Sequence, residues 1–134
     1  MDTPPAVPSP STTAAVALAA VLLSAGITHL VAPRLYEPLI PPVLGRPGPW
    51  VIGSGVAEIA CGVAVAIPAS RRAGGLASAA LLVAVFPGNV VMALDAARPA
   101  RWRVVTWSRL PLQVPLVLWA LRVARTGRPA GAAD

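Results

Sequence analysis

The sequence predicts an all-α integral membrane protein with four transmembrane helices in an up-down-up-down bundle, and three observations carry that prediction. Of the 134 residues, 56% are hydrophobic and only 12% are charged, which is far from the composition of a soluble domain of this length. Four apolar stretches near spanning length alternate with short segments rich in proline, glycine and arginine. All eleven basic residues are arginine, giving a net charge of +6, and most lie between the apolar stretches or just after the last one. That placement suits contact with lipid headgroups. Nucleic-acid binding would want a basic face with interleaved aromatics on a soluble module, so the lipid bilayer is the expected partner and nucleic acid is not.

Residues 1–11 (MDTPPAVPSPS) are rich in proline and serine and lack an apolar period, which predicts a disordered N-terminal tail. From Thr12 to Ala32 no residue carries a formal charge, and the run is long enough to cross a hydrocarbon core as the first helix, residues 12–32. It is too long, and its flank too poor in basic residues, for a cleaved signal segment. "PRLYEPLIPPVLGRPGP", Pro33 to Pro49, has too many prolines for a regular helix yet carries Leu35, Tyr36, Leu39 and Ile40, so it reads as a cap at the membrane interface.

The second helix, 50–67, opens on an interfacial tryptophan, Trp50, and is stopped by Pro68. "PASRRA" forms a turn, and the third helix covers 74–94. "DAARPARWRVVTW", Asp95 to Trp107, reads as a basic connection bracketed by two tryptophans, before a fourth helix over 108–123 and a polar tail over 124–134. The membrane domain thus spans 12–123. With both termini on one side, Arg71, Arg72, Arg122, Arg125 and Arg128 face six arginines at the opposite end, too even a balance to orient the bundle.

Polar residues inside these helices gather at one end. Glu58 has small residues, Ser54, Gly55, Cys61 and Gly62, on its own helix face, a pattern that turns it into the bundle rather than toward lipid. Counted at the helical rise, Glu58 lies roughly 12 Å below the loop end, His29 within roughly 5 Å, and Asn89 and Gln113 at roughly 7 Å. Because successive helices alternate in direction, all four fall in the half of the bilayer under the loops joining helices 1 to 2 and 3 to 4. Arg109 sits on the face of Gln113, four residues away. Pro87 and Gly88 break the third helix beside Asn89, and Pro111 and Pro115 fall in the expected first turns of the fourth, which together suggest a small hydrated chamber under the cap.

One cysteine and one histidine exclude an intrachain disulfide and a Cys-x-x-Cys pair, and leave too few soft ligands for a structural zinc or iron–sulfur site. No metal and no intrinsic cofactor are expected, and the chain is not expected to be catalytic on its own.

Five segments in order, "GITHLVAPRLYEPLIPP", "SGVAEIACG", "PASRRAGG", "VFPGN" and "RLPLQ", resemble the DoxX family and its DoxX-like relatives, small four-helix bacterial and archaeal membrane proteins. The likeness runs from about Ala25 to Ala120. It implies ligand-binding positions at His29, Tyr36, Glu58, Asn89, Arg109 and Gln113. Some members of that family are associated, as membrane subunits, with thiosulfate:quinone oxidoreductase complexes.

The resemblance therefore implies an accessory subunit or anchor of a redox-linked complex in the plasma membrane, with quinone as the possible ligand and a redox-complex polypeptide as the possible partner. Two other readings stand beside it. One is a small proton-linked transporter acting as a homodimer, with Glu58 exchanging protons. The other is a structural membrane protein with a polar core and no ligand.

Overall fold

The structure, a computed structural model, describes residues 9–127. The outer parts of both expected tails, residues 1–8 and 128–134 with Arg128, lie outside the described residues. Four helices follow one another: α1 (Pro10–Val31), α2 (Pro47–Ala66), α3 (Arg71–Leu94) and α4 (Ala100–Thr126). Each is long and apolar enough to cross a membrane. The protein is an all-α, multi-pass membrane protein. Between α1 and α2 the chain makes three single 3-10 turns, Pro33–Leu35, Glu37–Leu39 and Pro42–Leu44, short helical pieces that its closely spaced prolines tolerate where a longer helix would be broken.

Local chemistry sets the helix ends. Ser9 caps α1, its hydroxyl accepting from the Thr12 N–H at 3.3 Å, with Pro10 in the first turn. α1 therefore takes in Pro10 and Ser11, which had been assigned to the tail. At the turn after α2, the Ser70 hydroxyl donates to the Ala64 carbonyl at 2.9 Å and Arg71 Nε donates to that of Val65 at 3.1 Å. These two side chains satisfy carbonyls that the end of a helix leaves without partners.

The largest departure from expectation is the start of α4, which begins at Ala100 rather than 108. Pro99 precedes it with extended backbone, and nothing from Arg101 to Leu110 breaks a helix, so the arginines and tryptophans expected in a loop continue the helix outward. At 27 residues α4 is about 40 Å long. That exceeds a hydrocarbon core of roughly 30 Å, which carries its first turns toward the headgroups. Pro111 and Pro115 consequently lie inside the helix, not in its first turns. α4 also runs on through Thr126, past the expected end at 123.

The dry core occupies the end of the bundle that holds the termini. Ala15, Leu18, Ala19 and Leu22 of α1 meet Cys61 and Val65 of α2, Ala79 of α3, and Ala120 and Val123 of α4. The helices pair as two hairpins, α1 with α2 and α3 with α4. The α2–α3 contact joins them, and α1 touches α4 only lightly. Among the described residues one bond crosses that seam, from Trp119 Nε1 to the Ala14 carbonyl at 3.1 Å.

Close approach within each hairpin depends on missing side chains. A Cβ built on Gly26 would lie 2.6 Å from the Gly55 carbonyl oxygen, and one on Gly75 would lie 2.7 Å from the Ala124 nitrogen. No real side chain fits at such distances, so these glycines let the backbones touch. The outward faces carry Val16, Val21, Ile27, Val83 and Leu118, all exposed on the isolated chain and suited to lipid.

Candidate functional site

The end opposite the dry core is closed by the 3-10 turns, which are held from three directions. Trp50 Nε1, in the first turn of α2, donates to the Leu44 carbonyl at 3.0 Å. Pro41 sits over Gly88, its ring carbons 3.8 Å from where a Cβ would stand. Arg98 donates to the Pro38 carbonyl while its Nε pairs with Asp95 Oδ2 at 3.1 Å. Asp95 in turn accepts from the Ala97 N–H at 3.1 Å, so the connection between α3 and α4 braces the cap.

Beneath this cap three of the six expected residues come together. His29, near the end of α1, lies with Nδ1 3.2 Å from Glu58 Oε2 on α2. Its ring stacks on Tyr36 of the cap, centroids 3.7 Å apart and planes inclined at 22°. The meeting of His29 and Glu58 rests on Gly55, whose Cβ would stand 2.7 Å from that of His29. Gly55 is one turn before Glu58 and shares its face, so the absence of a side chain there lets the imidazole slide against α2 and reach the carboxylate.

The hydrogen bonding within the cluster is asymmetric. His29 Nδ1 is 2.7 Å from the Ala25 carbonyl, and since a carbonyl oxygen only accepts, Nδ1 must carry the hydrogen and donate it there. Glu58 Oε2 pairs with the ring at 3.2 Å but lies off that line, and among the described residues no donor is directed at this buried oxygen. A buried acceptor left in that state is costly, and the cost disappears when a donor reaches it.

Arg109, on α4, is half-buried and within electrostatic reach of both Glu58 and Tyr36. Among the described residues, no carboxylate stands within 4.0 Å of its guanidinium. Gln113 does not join the cluster. Its amide turns to α3 and donates to the Leu82 carbonyl, one residue before the carbonyl that Pro87 frees, so it ties α3 to α4 where the prolines weaken both. Asn89 is half-buried beside Pro87 and makes no side-chain hydrogen bond among the described residues.

Counting depth from expected helix starts had placed His29 well above Glu58. The two touch because α1 ends deep, at Val31, and the cap climbs before α2 begins at Pro47. Arg98 was not singled out from sequence, although the Asp95-x-x-Arg98 spacing carries an ion pair that was legible. The Ala25 carbonyl could not have been found, since any main-chain acceptor one turn back is available to a helical histidine.

The chain belongs to the family described as a domain of unknown function (DUF8561), whose model matches residues 18–124. No curated protein and no solved structure matches it.

Proposed function

We propose that this protein is an accessory subunit or anchor of a redox-linked, quinone-associated complex of the plasma membrane, and that its capped polar cluster holds a hydroxyl-bearing planar ligand, the reduced quinone ring. The observation that carries this reading is Glu58 Oε2, a buried acceptor at which no donor is directed among the described residues. A quinol hydroxyl is such a donor. Arg109 and Tyr36 add donors from α4 and the cap.

Quinone, when bound, would supply the electron-carrying chemistry. The residues of this chain bind, orient and exclude water. Glu58 accepts a hydrogen bond from the ligand, while His29 is fixed by its bond to Ala25 and pairs with the carboxylate from 3.2 Å. The likeness to the DoxX family, some of whose members accompany thiosulfate:quinone oxidoreductase complexes, supports a partner polypeptide that carries the redox centres.

The test is native mass spectrometry of gently extracted wild type and Glu58→Gln, with organic extraction to identify bound small molecules. A quinone or a partner polypeptide held by wild type and lost from the variant is the expected result. A bare and equally stable species in both samples, together with substrate flux in liposomes, would overturn the subunit reading in favour of transport.

A further inference from the structure

At the opposite end of the bundle, α3 begins and α4 ends side by side. Gly75 brings α3 against the backbone of Ala124, and a Cβ on Gly127 would stand 2.8 Å from the Arg72 nitrogen. Outside this contact lies a cleft of about 330 Å³ lined by Arg72, Leu76, Leu121, Ala124 and Arg125. Its two walls repeat one pattern. Arg72, the second residue of α3, has Leu76 one turn inward on the same face; Arg125, the second-last residue of α4, has Leu121 one turn inward. Each helix thus places a guanidinium at the rim and a leucine about 6 Å deeper toward the membrane centre.

Two arginines of the connections, Arg71 and Arg98, are already bonded within the protein, whereas among the described residues the two at this rim are not. Arg71 is spent on the carbonyls of Val65 and Ala66, and Arg98 on Asp95 and Pro38. Arg72 and Arg125 are exposed and make no hydrogen bond or ion pair among the described residues. Two guanidinium groups lining one cleft suit a phosphate in charge, and arginine offers it paired donors. The leucines below match an acyl chain, and helix ends at the headgroup level are where such a molecule is found.

We propose that this cleft is a binding site for an anionic phospholipid, its phosphate between Arg72 and Arg125 and an acyl chain along Leu76 and Leu121. The site is independent of the polar cluster at the capped end and anchors the α3–α4 hairpin to one leaflet.

The experiment titrates the purified full chain in detergent with phosphatidylglycerol or with phosphatidylcholine of the same acyl chains, read by native mass spectrometry. Wild type is expected to retain phosphatidylglycerol in preference to phosphatidylcholine. Arg72→Gln/Arg125→Gln should weaken phosphatidylglycerol binding about tenfold, whereas Arg46→Gln/Arg101→Gln, two exposed arginines at the other end, should change it less than about twofold. Millimolar inorganic phosphate should leave the lipid adduct in place.

Equal retention of the two lipids, equal losses in the two double variants, displacement by phosphate alone, or a dimer of this chain covering the cleft would each overturn the proposal. All four arginines are exposed, so the variants are expected to stay folded. The single variants, read by the same titration, decide the matter if the double one does not.

Discussion

His29 and Glu58 meet at 3.2 Å across the seam between α1 and α2, yet the imidazole hydrogen goes to the Ala25 carbonyl at 2.7 Å. The carboxylate oxygen that comes closest to the ring therefore has no donor directed at it among the described residues. That relationship depends on how near the two helices lie, on what holds the cap above them and on what braces the other hairpin.

The helix approach is tested at glycine. In Gly26→Ala the new methyl meets the Gly55 carbonyl oxygen at 2.6 Å, whereas at Gly53 nothing lies within 4 Å. Gly26→Ala is expected to destabilise the protein by about 1–3 kcal/mol through overpacking. Gly53→Ala, in the same hairpin, should be neutral or stabilising by up to about 1 kcal/mol because alanine favours helix. Reversible unfolding in mixed micelles measures both.

Gln113 is assigned to bracing rather than to the ligand. Gln113→Leu removes the donor to the Leu82 carbonyl and should cost on the order of 1 kcal/mol, the scale of a hydrogen bond between membrane helices. The same unfolding assay reads the loss. Retention of any copurified small molecule should be unchanged, which separates Gln113 from Glu58.

Arg98 is the tie between the cap and the α3–α4 connection. Arg98→Ala should raise hydrogen exchange at the cap amides of Leu39, Ile40, Leu44 and Gly45, which donate within the 3-10 turns. The expected rise is roughly tenfold, the scale of a lost hydrogen bond to a charged group. Exchange along α1 near Ala15 and Leu18, in the dry core, should not move.

Most of the architecture was legible because it rests on composition and run length, and the polar end was legible because alternating helices sort residues by depth. The start of α4 was not. Arginine and tryptophan read as loop residues by polarity, but neither breaks a helix, and Pro99 alone decides where this one begins. The shared depth of His29 and Glu58 was hidden for a different reason. Helix register is set by Gly26 and Gly55 touching and by a cap that lets α1 end below the start of α2, and neither is visible in a count of residues from an assumed membrane plane. Gln113 shared a face with Arg109 in the sequence, yet its amide reaches across to the Leu82 carbonyl of α3, which runs unbroken through Pro87.

The central claim is that Glu58 Oε2 awaits a hydroxyl donor. The most direct measurement compares binding of a short-chain quinol with that of its dimethyl ether, identical in ring and shape but lacking both donors, to purified wild type by isothermal titration in detergent. The quinol is expected to bind about tenfold more tightly or better, the worth of a charge-assisted hydrogen bond to a buried carboxylate, and Glu58→Gln should shrink the difference. Equal affinity for the two compounds, or no binding of either, would contradict it.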